Sequence, residues 1–136
     1  MFDKPYEARL ALWKEFRANL ETDPDPIRSC IKFWQAAPEV RIQADPYNQD
    51  TWPGPWELIE ENIFCPFVKI LAICYTLQLT DRFSQASFEI HITQAKNQIS
   101  YILTIDGKCI DNDELTFKEL SNTLRIEQSY PMPRLW

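Results

Sequence analysis

The stretch Cys65–Leu79, CPFVKILAICYTLQL, decides the fold. Pro66 suits the first turn of a helix, where a missing backbone N–H costs nothing. Beyond it the plainly polar positions are Lys69, Thr76 and Gln78. A helix that is apolar on nearly all sides is buried among other elements, because a surface helix carries one polar face. The sequence therefore predicts a buried central helix.

After this helix the apolar residues change to the two-residue period of strands. Residues 88–93 alternate, which predicts one buried face and places His91 on the opposite, outward face. A second strand is predicted over 99–105. Asp106-Gly107 is a strong hairpin signal and precedes a returning strand at 108–110. We therefore expect an antiparallel sheet of three or four strands, to which the alternating residues 124–127 belong.

Two amphipathic helices are predicted before the central helix. Apolar residues recur at helical steps over 5–21, and the polar side of this helix, including Arg9 and Arg17, is predicted to face solvent. Asp25 and Pro26 begin a second helix that ends before Pro38. The predicted class is α+β, with N-terminal helices and a buried central helix packed on the sheet.

The length of 136 residues suits one domain with a substantial core. We divide it into a helical part (1–38), an ordered Pro/Trp-rich loop (39–55), a helix-plus-sheet core (56–130) and an extended tail (131–136). The tail either covers the domain's own core or docks on a partner.

Composition excludes several kinds of site. Two glycines are too few for Gly-rich phosphate-binding loops, and one histidine excludes two-histidine metal sites. We therefore predict no cofactor and no metal. The net charge of −6 argues against a nucleic-acid partner, because binding phosphates requires a basic surface.

The chain also lacks the features of membrane and secreted proteins. No window of 18 apolar residues occurs, and the first ten residues carry charges where a secretory signal needs its apolar stretch. We expect no membrane partner and a cytoplasmic location. The four cysteines show no CxxC pair, so four free thiols are predicted.

Cys65 is the cysteine with a suggestive setting, because it directly precedes the central helix. A cysteine nucleophile needs a histidine as base and a third group to orient that histidine. In chain order these are His91 and then Asp106 or Asp111.

The residues Asp50 to Ile59, DTWPGPWELI, followed by Cys65 and the long apolar helix, resemble the bacterial transglutaminase-like cysteine proteinases. The resemblance covers about residues 50–113, and Asp111-Asn112 stands where the last motif of that family falls. It implies a nucleophilic cysteine that opens the core helix, with a histidine and an aspartate on the following strands. The Trp-Pro-x-Pro-Trp-Glu motif at 52–57 is also similar to small proteins of tailed bacteriophages.

The chain departs from the family at the catalytic positions. Neither the glycine before the nucleophile nor the acidic pair after it is present around Cys65, and Ser100 or Tyr101 stands where the family has its histidine. We therefore predict a degenerate core in a non-catalytic protein of phage type. It would act by protein–protein binding, as a virion or assembly component or as a modulator of a host factor, in the host cytoplasm or the virion.

Two alternatives stay open. In the first alternative, the chain is a cysteine peptidase or amidase, with Cys65 as nucleophile, His91 as base and Asp111 as the residue that orients the histidine. The predicted partner-binding residues are Trp52, Trp56 and Trp136. For Trp52 and Trp56, the second alternative is that they pack over the central helix and do not bind a partner.

Overall fold

The computed structural model describes residues 1–39, 44–95, 97–110, 117–118 and 125–135. Within these residues the chain is α+β, as the sequence predicts, and it has four α-helices and one four-stranded antiparallel sheet. The elements are α1 (Tyr6–Leu20), α2 (Pro26–Gln35), α3 (Pro55–Glu61), α4 (Pro66–Gln78), β1 (Phe88–Ala95), β2 (Gln98–Ile105), β3 (Lys108–Cys109) and β4 (Arg125–Met132).

The described chain divides into two compact units, residues 1–84 and 85–135. The first contains all four helices and the second the whole sheet. The boundary falls inside the segment 56–130 that we predicted as one helix-plus-sheet core. The prediction of a single domain stays a prediction.

In the helical unit, α4 is buried along its length. Ten of its 13 residues are buried, including the polar Thr76 and Gln78, which confirms the predicted central helix. Thr76 satisfies two indoles at once, because its hydroxyl oxygen accepts the N–H groups of Trp13 and Trp34, each at 3.0 Å. The same hydroxyl donates to the carbonyl of Ala72. A single threonine thereby joins α1 and α2 to the buried helix.

Arg9 corrects the prediction of a fully solvated polar side on α1. It is buried, and its guanidinium donates to the carbonyls of Ile59 and Glu60 in the last turn of α3. Carbonyls in a last helical turn have no partner within their own helix, and a cation is favourable there. Arg9 therefore fastens the end of α3 to α1.

Over its described residues the Pro/Trp-rich loop contains a short helical turn and several local hydrogen bonds. A short 3₁₀ helix spans Gln49–Thr51, and the side chain of Asn48 accepts the N–H of Asp50 at its start. Thr51 donates to the carbonyls of Asp45 and Asn48. These local bonds fix the backbone before α3.

In the sheet unit, the strand order is β3-β2-β1-β4 and every neighbouring pair is antiparallel. Asp106 and Gly107 have φ values of 51° and 81°, which suits a two-residue hairpin turn and confirms the hairpin between β2 and β3. β4 extends to Met132 and pairs with β1, so the predicted tail over 131–136 begins too early. The backbone pairing with β1 continues through Pro131 because β4 is an edge strand, where a proline is tolerated.

Candidate functional site

Cys65 is the residue directly before the first turn of α4, where the sequence placed it. Its backbone carbonyl accepts the N–H of Lys69, and its side chain makes no capping hydrogen bond. The residue is only 1% exposed, and its sequence neighbours Phe64 and Phe67 are buried as well. Cys65 therefore belongs to the apolar core of the helical unit.

The other three cysteines are buried too, and all four are free thiols, as predicted. Burial raises the pKa of the Cys30 and Cys74 thiols far above the ordinary value. The Cys74 sulfur lies 3.4 Å from the side-chain oxygen of Gln78, and the Cys30 sulfur lies 3.8 Å from the carbonyl of Ile73. Both are core side chains.

His91 is buried in the middle of the sheet, at 1% exposure, so the predicted outward, solvent-facing position is wrong. β1 is an interior strand between β2 and β4. The ring of Phe117 stacks on the imidazole at a centroid distance of 3.9 Å and an interplanar angle of 24°. Thr93, on the same side of β1, is also buried. The polar face of β1 is therefore covered as well as the apolar one.

Both ring nitrogens of His91 have hydroxyl partners. Nδ1 lies 2.8 Å from the hydroxyl oxygen of Ser129 in β4, and Nε2 lies 3.0 Å from that of Thr104 in β2. Either hydroxyl can donate or accept, so a neutral imidazole is satisfied in either tautomer. The ring bridges both neighbouring strands through side chains.

Burial lowers the pKa of His91 below its ordinary value of 6.5. The Glu89 carboxylate acts in the opposite direction, because an oxygen lies 3.8 Å from Nε2 and attracts a proton to the ring. Desolvation is the larger effect. The imidazole is therefore neutral near pH 7.

The structure assigns the predicted catalytic residues to different units or does not describe them. Cys65 belongs to the helical unit and His91 to the sheet unit, while Asp111 lies outside the described residues. Within the sheet unit, His91 contacts Ser129, Thr104 and Phe117. Among the described residues, no three His, Cys, Asp or Glu side chains cluster as metal ligands.

Trp52 is half-buried in the ordered loop. Its indole N–H donates to the carbonyl of Asp45 at 3.0 Å, and its ring lies 4.9 Å from that of Phe67 in α4. These contacts of Trp52 are those of packing on the central helix, which is one of the two interpretations of this residue. Trp136 lies outside the described residues.

Trp56 is 50% exposed, the largest exposed fraction among the large apolar side chains of the described residues. Its ring meets that of Trp13 edge-on, with a centroid distance of 5.2 Å. The guanidinium of Arg17 lies 4.4 Å from the Trp13 ring and 5.7 Å from the Trp56 ring. We call Trp13, Arg17 and Trp56 the Trp56 surface.

Local sequence explains why this surface is rigid. Trp13 and Arg17 are four residues apart on α1, so they share a helix face. Pro55 sets the first turn of α3, which places Trp56 at the second position of that helix. Arg9 binds the other end of α3 through the carbonyls of Ile59 and Glu60. The short helix therefore contacts α1 through Trp56 near its start and through two carbonyls in its last turn.

Arg17 is half-buried and has no acceptor among the residues that the structure describes. Its Nε is enclosed and makes no hydrogen bond, and within the described residues no carboxylate forms an ion pair with it. Burial lowers the pKa of the guanidinium, which nevertheless stays a cation at physiological pH. The Trp56 surface therefore combines an exposed indole with a partly desolvated positive charge.

Comparisons with protein-family models, curated proteins and solved structures find no match to this chain. Among the described helices, none reaches the length and hydropathy that a bilayer span requires.

The sequence did not predict the contacts of Arg17 with the two indoles. Its place in a mixed-charge helix face indicated solvent, and the signal that could have found it is the pair Trp13 and Arg17 at a four-residue spacing. Cation–π contacts at this spacing favour an arginine held over an indole. The third member, Trp56, comes from a different helix and has no local signal in α1.

Proposed function

We propose that the protein is non-catalytic and acts by binding another protein through the Trp56 surface. The observation that carries the proposal is a half-exposed indole on α3 that packs against Trp13 of α1, with a cation over it. Tryptophan and arginine are the residues most enriched among interface positions that dominate binding energy. A rigid indole loses little conformational entropy when a partner covers it.

The expected gain from covering Trp56 is substantial for one side chain. A tryptophan buries on the order of 200 Å² when fully enclosed, and about half of that is still accessible here. At ~25 cal/mol per Å², burying the remainder contributes about 2 kcal/mol to association. That is the magnitude of an interface hot spot.

Two observations support the proposal that the protein is non-catalytic. The thiol of Cys65 is buried, and both nitrogens of the His91 imidazole already have hydrogen-bond partners. Cys65 has almost no accessible surface, so an external substrate does not reach its sulfur in this conformation. His91 is neutral, and both of its nitrogens are already hydrogen-bonded within the sheet. A thiol nucleophile needs an imidazole that is free to pair with it.

The sequence resemblance supports a more specific form of this proposal. We propose a degenerate transglutaminase-like core in a phage-type protein, acting as a virion or assembly component or as a modulator of a host factor. The host cytoplasm or the virion is the corresponding location. The acidic composition supports a protein partner over a nucleic acid, because polyanions are repelled by a net charge of −6.

The alternative function is a cysteine peptidase or amidase with Cys65 as nucleophile. The observation in its favour is the position of Cys65 at the N-terminal end of α4, where the first backbone N–H groups lack helical partners. This function requires a rearrangement that exposes the sulfur and frees an imidazole.

Affinity capture with matched variants tests the proposal. The full chain is immobilised and the proteins it retains from cells that normally contain it are compared with those retained by Trp56→Ala and by Tyr47→Ala. Tyr47 is a suitable control, because it is an aromatic residue of 47% exposure in the Pro/Trp-rich loop. We expect a partner that Trp56→Ala loses and Tyr47→Ala keeps. Peptide or amide hydrolysis that Cys65→Ala abolishes would contradict the proposal.

A further inference from the structure

Within the described residues Arg17 has no acceptor, in contrast to Arg9, Arg28 and Arg82. The guanidinium of Arg9 donates to helix-end carbonyls, that of Arg82 donates to the carbonyls of Leu20 and Asp23, and Arg28 pairs with Asp25. The guanidinium carbon of Arg17 lies 4.4 Å from the ring centroid of Trp13 and 5.7 Å from that of Trp56, and its enclosed Nε has no hydrogen-bond partner among the described residues. A guanidinium in this state has given up water without receiving an acceptor in exchange.

A carboxylate is the group that best completes such an arginine. The two terminal amino groups of a guanidinium match the two oxygens of a carboxylate, and the resulting charge-assisted bonds are about twice as strong as neutral ones. The contacts of the guanidinium with the rings of Trp13 and Trp56 restrict its position before the partner arrives. Less side-chain entropy is then lost when the bonds form.

We propose that the partner of this surface is an acidic protein segment, with a carboxylate bound to Arg17 and a neighbouring apolar side chain covering Trp56. This inference rests on the proposed function and names the chemistry of its partner. Lys14 lies three residues before Arg17 on α1 and is exposed, so it adds positive charge on the same side of the helix.

The charges of α3 favour a single carboxylate over a polyanion. Glu57, Glu60 and Glu61 are exposed on the helix that carries Trp56. A nucleic acid brings a phosphate every few ångströms and would meet these carboxylates. A single acidic side chain beside an apolar one can bind Arg17 without meeting these carboxylates, because Arg17 and Lys14 belong to α1 and the carboxylates belong to α3.

Selection of a random displayed peptide library on the intact protein tests the inference. We expect the selected peptides to share an Asp or Glu next to an aromatic or aliphatic residue. A synthetic peptide from this set should bind Arg17→Met about tenfold to hundredfold more weakly, and Arg17→Lys should fall between, because lysine keeps the charge but not the fork. Arg28→Met is the matched control, since Arg28 is an exposed arginine that already has a partner, and it should leave the Kd unchanged.

A double-mutant cycle identifies the contact itself. Replacing the acidic residue of the peptide by its amide should weaken binding to the native protein, and the same replacement should have little further effect on Arg17→Met. Circular dichroism of each variant verifies that the fold is kept.

The failures of the two proposals are distinguishable. Peptides that need Trp56 but bind equally to Arg17→Met, or that carry no acidic residue, would overturn the acidic partner and leave the binding surface in place. A single-stranded oligonucleotide that binds at Trp56 would overturn it as well. A library that yields no ligand dependent on Trp56 contradicts the proposed function itself.

Discussion

The hydroxyl oxygen of Ser129 lies 2.8 Å from Nδ1 of His91, across the pairing of β4 with β1. On the other side of the ring, Thr104 of β2 lies 3.0 Å from Nε2. The imidazole is therefore held between two hydroxyls on two neighbouring strands. A histidine in this position links β1 to both of its neighbouring strands through its side chain.

Removing these hydroxyls should destabilise the protein to different extents. Thr104→Val should lower the free energy of unfolding by about 2 kcal/mol, because Thr104 is buried and its loss leaves Nε2 without a partner. Ser129→Ala should cost only about 1 kcal/mol, since Ser129 is exposed and water can replace its hydroxyl. Urea unfolding measures both. Ser87→Ala, at an exposed serine, is the control, and equal values for all three variants would contradict the account.

The titration of His91 can be measured without ambiguity, because the chain has a single histidine. Desolvation lowers its pKa in the folded protein, so the Hε1 proton resonance should titrate with a midpoint below 6.5 in NMR spectra. A midpoint above that value would mean that the imidazolium is stabilised, as it is in a thiolate–imidazolium pair.

The same shift predicts a pH dependence of stability. Because the folded pKa is depressed, the unfolded chain binds more protons at mildly acidic pH, and unfolding is then favoured. The stabilisation from His91 is present above the unfolded pKa of about 6.5 and is lost as the pH falls from there through the folded pKa. Urea unfolding of the native protein and of His91→Gln across this range isolates the effect. A difference between the two that grows with falling pH in favour of the native protein would contradict it.

Thr76 should be among the costliest single positions in the helical unit. Thr76→Val keeps the shape of the side chain but leaves the buried N–H groups of Trp13 and Trp34 without an acceptor, so we expect a loss of about 3 kcal/mol or more. Thr76→Ser keeps the oxygen and should cost about 1 kcal/mol, the value of one methyl group. Thermal and urea unfolding compare them, and an equal loss in both variants would argue against the shared acceptor.

Much of the fold could be predicted because its signals are local. Asp25 and Pro26 mark the start of α2 within two residues, and the side chain of Asp25 accepts the N–H of Arg28 as a cap should. Asp106 and Gly107 mark the hairpin because both adopt positive φ. The central helix is recognisable from its apolar run alone.

The misplaced residues have partners that are distant in sequence. The guanidinium of Arg9 donates to the carbonyl of Ile59, 50 residues away, so the sequence of its own helix did not predict that Arg9 is buried. His91 is paired with Ser129, 38 residues later, in a strand that the sequence indicated only in part. Alternation in β1 correctly predicted which residues share a face. It did not predict that the polar face is also covered, because that depends on β4 and Phe117.

We propose that Cys65, directly before the core helix, lacks the reactivity of the nucleophile of a thiol enzyme. The rate of iodoacetamide labelling of Cys65 against pH, read by mass spectrometry of its peptide, tests this most directly. We predict that in the folded protein Cys65 labels no faster than the core thiols Cys30 and Cys74 at any pH below about 8.5, the ordinary thiol pKa. Rapid and selective labelling of Cys65 below about pH 7 would reveal a stabilised thiolate and would contradict the account.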